Sequence, residues 1–276
     1  MKVFRTEAGK SIVRSRYDEL LAKWPVPCER RYVGETHVIE CGPESAAPLI
    51  LLYGTMSNSA AWMGDVETWS RSFRVVAVDL PGEPGLSSDQ RPSPSGDDFS
   101  SWLAGLLDEL GYTEQPVSIV GQSLGAFAAL KFAVKYPSRV NKLSMLTTSG
   151  ISPTRLSFMF KALPMMLLGK WGSNRINRMI SYGADLGDEA AGFGALVSKH
   201  CRPLTEVIPI FPDAELSRLT MPVQYFGGDH DVLLNSGAAA ARLQELLPKA
   251  EINMLDDTGH VVIGQTEKIM GFMSDS

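Results

Sequence analysis

The sequence predicts an α/β protein with a mostly parallel sheet, and three observations predict it. Apolar strand-like runs alternate with helix-like runs along most of the chain, the pattern of repeated βαβ units. The central strand-like runs are continuously apolar rather than alternating, as strands covered on both faces are. The rhythm lapses once, from Gly150 to about Asp213, and then resumes.

Residues 11–23 have a helical pattern that Pro25 and Pro27 end. Segments 29–33 and 36–41 read as a short hairpin turning at Gly34. Segments 49–53 and 73–80 are apolar strands, and 99–110 is an amphipathic helix closed by Gly111, a residue suited to a helix C-terminus. Segment 117–120 is a short buried strand, 124–136 an Ala-rich helix stopped by Pro137, and 140–147 another strand. After the lapse come a strand at 222–226, a helix at 236–247, a strand at 251–255 and a last helix at 265–273. Together they make an eight-stranded sheet flanked by helices. The lapse holds helix-like pieces cut by Gly and Pro, and at about sixty residues it exceeds ordinary connection lengths. It is expected to be a helical cap, residues 150–213, inserted in a core of residues 1–149 and 214–276.

Composition excludes several classes. Hydrophobic residues make up 44% and charged residues 21% of the chain, which is ordinary for a globular protein and too apolar for a disordered one. Twenty-six basic residues stand scattered against 31 acidic ones, for a net charge of −5, so no footprint for nucleic acid or an anionic membrane is expected. The N-terminus lacks the apolar stretch of a signal peptide, and no run approaches the ~18 apolar residues of a membrane span. Cys28, Cys41 and Cys201 are odd in number and fit no disulfide or CxxC spacing. They are expected to be reduced, small buried side chains in a cytoplasmic protein.

The chemistry concentrates around Gly121-Gln122-Ser123-Leu124-Gly125. This G-x-S-x-G lies between a buried strand and an Ala-rich helix, the context its chemistry requires. A serine on so sharp a turn is strained, and glycines at the flanking positions remove clashes with neighbouring backbone. The helix start below it offers free N–H groups to a developing oxyanion. A serine hydroxyl needs a base. Of the four histidines, His260 directly follows the last strand, and a loop there opens on the same sheet edge. The base needs an orienting carboxylate. Asp231, at G-x-x-D spacing from Gly228, is preferred to Asp229, which could instead tie down the loop. Leu124 would supply one oxyanion N–H, and the loop after segment 49–53 the other, from Thr55 in preference to Met56. Asp229-His230-Asp231 has no partner His or Cys at ligand spacing, so no metal is expected. No dinucleotide or phosphate loop is present either, so no cofactor is expected.

These segments resemble those of α/β-hydrolases across nearly the whole chain. The resemblance rests on Leu51-Leu52-Tyr53-Gly54 followed by Trp62, on the run from Val78 through Asp79 to Ser87, on the serine turn, on Gly228-Asp229-His230-Asp231 and on Gly259-His260. Residues 17–24 before Val26-Pro27, with residues 35–39, are similar to bacterial carboxylesterases of the naproxen-esterase type. The resemblance implies Ser123, Asp231 and His260 as nucleophile, orienter and base, in the chain order of that fold. It also implies a helical lid. Two departures stand out. Tyr53 occupies the place of the family's usual His, and Gly82-Glu83-Pro84-Gly85-Leu86-Ser87 is one residue longer than the usual turn, with an expected role that is structural only.

The expected reaction is hydrolysis of a small apolar carboxylic ester, thioester or lactone. The same triad would serve a cofactor-free perhydrolase or haloperoxidase. From another class, a signalling protein that binds a ligand with little turnover would also fit. Met56 of the loop after segment 49–53 and Met159, Met165 and Met166 of the insertion are candidate substrate contacts; the insertion is also made apolar by Phe158, Phe160, Leu163, Leu167, Leu168, Trp171 and Met179. Such side chains line adaptable sites or simply pack the insertion on the core.

Overall fold

The computed structural model describes residues 2–155, 158, 164–165 and 169–275. Eight strands form one sheet: β1 (Cys28–Val33), β2 (Thr36–Cys41), β3 (Pro48–Leu52), β4 (Arg74–Val78), β5 (Val117–Gln122), β6 (Val140–Leu146), β7 (Val223–Gly228) and β8 (Glu251–Leu255). Their order is β1-β2-β4-β3-β5-β6-β7-β8. β2 runs antiparallel to both of its neighbours, and every pairing from β4 to β8 is parallel. Among the described residues the helices are α1 (Glu7–Leu21), α2 (Val66–Trp69), α3 (Asp98–Glu109), α4 (Leu124–Lys135), α5 (Gly169–Ile180), α6 (Gly187–His200), α7 (Asp213–Leu216), α8 (Ser236–Leu246) and α9 (Thr266–Ser274), with short 3-10 turns at Ser59–Trp62 and Pro137–Arg139.

The continuous apolar runs are explained by two cores, one on each face of the sheet. Ile50, Leu52, Val76 and Val78 face the side covered by α3, α4 and α8. Leu49, Leu51, Val75 and Ala77, which alternate with them, face Tyr17 of α1, Trp69 of α2 and Ile269 of α9. The edge pair differs. β2 is buried along its length, while β1 is mostly exposed. Cys28 is therefore exposed, unlike Cys41 and Cys201, which corrects the expectation of three buried cysteines. The β1–β2 register sets Cys28 directly opposite Cys41.

The expected elements differ from the observed ones mainly at their ends. α1 begins at Glu7 because Thr6 caps it, its hydroxyl accepting the Gly9 N–H at 3.0 Å; it ends at Leu21, before the prolines. The four-residue α2 and α7 are too short to show a helical period. Between β6 and β7 the described residues form α5, α6 and α7. Phe193 of α6 packs on Tyr17 of α1, with ring centroids 6.2 Å apart, and Val197 and Cys201 are fully buried with it.

The parallel registers bring one set of strand ends together. Leu52 lies beside Gly121, Gln122 beside Leu146, Leu146 beside Phe226, and Gly228 beside Leu255. The loops that follow β3, β5, β7 and β8 therefore open on a common edge.

Candidate active site

Ser123 stands between β5 and α4 with φ 53° and ψ −113°, a conformation that costs a non-glycine residue about 1–3 kcal/mol. The surroundings hold it there. Its N–H donates to the Leu146 carbonyl at 2.9 Å, and its own carbonyl accepts from Phe127 N–H at 3.0 Å. The two flanking glycines have the steric role the sequence suggests. A Cβ on Gly121 would lie 2.6 Å from the Ala126 Cα, and one on Gly125 would lie 2.1 Å from the Leu52 carbonyl oxygen.

The structure brings Ser123, His260 and Asp231 into one hydrogen-bonded line. His260 Nε2 is 2.8 Å from Ser123 Oγ, and His260 Nδ1 is 2.9 Å from Asp231 Oδ2. Asp231 is fully buried, and Ser123 and His260 are 8% and 7% exposed, so the line is largely shielded from solvent. Burial alone would raise the Asp231 carboxyl. The hydrogen bond and charge of His260, with the amides of Leu234 and Leu233, outweigh it and hold the carboxyl below its usual range.

Backbone contacts fix the histidine. His260 N–H donates to the Ile180 carbonyl at 2.8 Å, and its carbonyl accepts from Thr147 Oγ1 at 2.8 Å. Two glycines permit this approach. A Cβ on Gly259 would meet the Ile180 carbonyl oxygen at 2.5 Å, and one on Gly228 would meet the Gly259 carbonyl oxygen at 2.2 Å. Asp229 takes the other role available to it: its Oδ1 accepts the Thr258 N–H at 3.1 Å and ties down the His260 loop. Beside it, His230 stacks on Tyr182 with centroids 3.9 Å apart and planes 5° from parallel.

The loop after β3 passes close to the serine. A Cβ on Gly54 would lie 3.0 Å from Ser123 Cβ. Among the backbone hydrogen bonds of the described residues, the N–H groups of Thr55 and Leu124 have no acceptor. The Met56 N–H is occupied, donating to Glu83 Oε2 at 2.7 Å. Glu83, from the turn read as structural only, is 2% exposed and also accepts from Thr55 Oγ1 at 3.2 Å. Sequence reading missed this carboxylate. Its one visible signal is an acidic residue in an otherwise small and apolar turn.

A cavity of about 240 Å³ is walled by Tyr53, Trp62, Asp65, Gln122, Val262 and neighbours; it contains none of the three aligned residues, and of its lining Gln122 directly precedes Ser123. Tyr53, in the place of the expected His, packs edge-on against Trp62 at 5.1 Å. A larger cavity of about 530 Å³, between the β1–β2 turn and α3, contains none of the three aligned residues. Of the candidate substrate contacts, Met56 packs against the α1-side core and Met165 is half-buried. Met159, Met166, Phe160, Leu163, Leu167 and Leu168 lie outside the described residues. Trp171 is 65% exposed. Among the described residues, no cluster of His, Cys, Asp and Glu has the make-up of a metal site, and no helix is long and apolar enough to cross a membrane.

Comparison with known proteins follows the same line. The model of the alpha/beta hydrolase family matches residues 49–269. An uncharacterized carboxylesterase, nap, of Bacillus subtilis (strain 168) is 29% identical over 281 residues, covering 94% of this chain and 91% of the relative. The carboxylesterase YbfK of the same organism is 27% identical, covering 95% and 91%. The crystal structure of naproxen esterase (carboxylesterase NP) from Bacillus subtilis superposes with a TM-score of 0.82 at 26% identity, over 94% of this chain and 96% of that one.

Proposed function

The chain belongs to the alpha/beta hydrolase family, and from that premise we propose that it hydrolyses carboxylic esters through an acyl-enzyme on Ser123. The observation that carries the reading is the continuous line Ser123 Oγ, His260 Nε2, His260 Nδ1, Asp231 Oδ2, with contacts of 2.8 and 2.9 Å. His260 takes the hydroxyl proton as Ser123 attacks the carbonyl carbon. Asp231 holds the imidazole with its Nδ1 proton inward and stabilises the imidazolium that forms. The Leu124 and Thr55 N–H groups receive the oxyanion, each such donor being worth about 10²–10³ in rate. His260 returns its proton to the departing alcohol, and then activates the water that cleaves the acyl-enzyme.

The carboxylesterase names of the two Bacillus relatives, each similar over nearly its whole length, support an ester as substrate. Segment 150–213 is read as a cap on the hydrolase core. Among the described residues, one tie from it to the site is the Ile180 carbonyl, which receives the His260 N–H.

The test is labelling with a fluorophosphonate, followed by peptide mass mapping, beside turnover of p-nitrophenyl esters of rising chain length. The expected result is one adduct on Ser123 and a burst of p-nitrophenol before steady hydrolysis. No adduct, or an adduct elsewhere, would overturn the proposal. Ligand binding without a burst would favour the signalling reading, and peroxide-dependent halogenation without ester turnover would favour the haloperoxidase.

A further inference from the structure

Glu83 and Arg91 form a buried ion pair with no part in the chemistry above. Their side chains are 2% and 3% exposed, with Arg91 Nε 3.2 Å from Glu83 Oε1. Burying such a pair is costly unless each partner is fully hydrogen-bonded. Here both are. Glu83 Oε2 accepts the Met56 N–H at 2.7 Å and the Thr55 hydroxyl at 3.2 Å. Arg91 donates to the carbonyls of Pro203 and Arg202 at 3.1 and 2.6 Å. The next residue of the turn adds a third tie, the Pro84 carbonyl accepting from Asn58 Nδ2 at 2.8 Å.

These ties converge on a strained loop. Met56 has φ 59°, left-handed backbone that a non-glycine residue adopts only when its surroundings impose it. The hydrogen bond from Met56 N–H to the carboxylate is such an imposition. It also decides which amide of the loop is free: with Met56 N–H spent on Glu83, Thr55 N–H remains, directly after Gly54 and its close approach to Ser123.

We infer that Glu83 is a positioning residue for ester hydrolysis: by accepting the Met56 N–H it sets the turn that presents the Thr55 N–H to the oxyanion, while Arg91 anchors that turn to the chain at residues 202–203. The inference rests on the reading of Ser123 as nucleophile. The pair also links the oxyanion loop to residues 202–203 of the inserted segment.

The experiment compares wild type, Glu83→Ala, Glu83→Gln and Glu83→Asp in kcat, KM and inhibition by an aryl trifluoromethyl ketone, with melting curves to confirm folding. The ketone adds to the serine and forms an oxyanion, so it reads the hole directly. Glu83→Ala is expected to lower kcat about 10–100-fold, less than or equal to the loss of a whole oxyanion donor. KM should change little, and ketone affinity should fall by the same factor as kcat/KM. Glu83→Gln, with its oxygen on the Met56 N–H and its NH₂ against Arg91 Nε, should lower the melting temperature because the buried guanidinium loses its counter-charge, yet keep kcat within roughly threefold of wild type, whereas Glu83→Asp keeps the charge but retracts it and should lose roughly tenfold, as small displacements in a reacting site do.

Folded variants with wild-type kcat would overturn the inference. So would a Gln variant as impaired as the Ala variant, since the ion pair with Arg91 would then be what matters. A loss confined to KM, with ketone affinity intact, would overturn it as well. If Glu83→Ala does not fold, the order of Gln and Asp decides. A wild type that hydrolyses no ester and takes no label on Ser123 overturns the functional reading, and this inference with it.

Discussion

Asp231→Asn is a substitution whose orientation the structure dictates. Asp231 Oδ1 accepts the Leu233 and Leu234 N–H groups at 2.8 and 3.0 Å. Oδ2 faces His260 Nδ1 at 2.9 Å and accepts from Ser236 Oγ at 3.0 Å. Asparagine offers one oxygen and one NH₂ for these two places. With the NH₂ toward Leu233 and Leu234, donors would face donors, and two buried amides would lose their acceptor at about 1–3 kcal/mol each. The sum, roughly 2–6 kcal/mol, keeps the oxygen on the amides and turns the NH₂ toward His260. Nδ1 must then accept, and the ring proton moves to Nε2, facing Ser123 Oγ. A protonated Nε2 cannot take the hydroxyl proton, so kcat should fall by about 10³–10⁴ with KM little changed. The assay is steady-state hydrolysis of a p-nitrophenyl ester by protein whose melting curve shows it folded. A kcat within about tenfold of wild type would refute the tautomer argument. So would an equal loss in Ser236→Ala, which removes one donor and leaves the tautomer alone.

Gly54→Ala would push the loop after β3 away from Ser123 by a few tenths of an ångström, because the new Cβ would sit 3.0 Å from Ser123 Cβ. Since ~1 Å of misplacement costs ~10²-fold, kcat should fall roughly 3–10-fold with an unchanged melting temperature. Asp79 accepts from Tyr17 Oη at 2.7 Å, Ser59 Oγ at 2.8 Å, and Ser59 N, Leu86 N and His37 Nδ1 at 3.0 Å. Burial would raise its carboxyl, but the hydrogen bond and charge of His37, the Leu86 amide and Tyr17 outweigh that and hold it below the usual range. A carboxyl depressed in the folded state stabilises above its unfolded value, about 3.9, and that stabilisation is lost as pH falls through the folded value. Urea unfolding should therefore show Asp79→Asn less stable at neutral pH by about 3–5 kcal/mol, with the gap closing in acid. Tyr182→Ala removes the stack on His230 and should cost about 0.5–1.5 kcal/mol, seen as a lowered melting temperature.

What could be read from the sequence follows from where each requirement is written. The serine turn is legible because its sterics demand glycine at positions 121 and 125, and the structure has backbone within 2.6 and 2.1 Å of the missing Cβ atoms. The central strands are legible because both of their faces are buried. Asp231 and Asp229 look alike in sequence; their hydrogen bonds separate them, one to His260 Nδ1 and the other to the Thr258 N–H. The Glu83 contact was not legible, because its partner is a backbone amide 27 residues earlier in the chain, and any residue type supplies one. The His260–Ile180 bond is hidden for the same reason. α1 starts earlier than its apolar pattern because the cap at Thr6, not hydrophobic periodicity, sets its first turn.

That backbone bond has a consequence for engineering. Segments inserted after a core strand are attractive modules to graft between related enzymes when a new substrate range is wanted. Here the graft would take part of the mounting of His260 with it. The Ile180 carbonyl holds the His260 amide, and residues 180–182 fill the space that Gly259 leaves open. A donor segment would have to reproduce that turn, with a carbonyl at the place of Ile180, or the chimaera would trade turnover for selectivity. Exchanges that keep residues 177–183 and alter the chain on either side would avoid this loss.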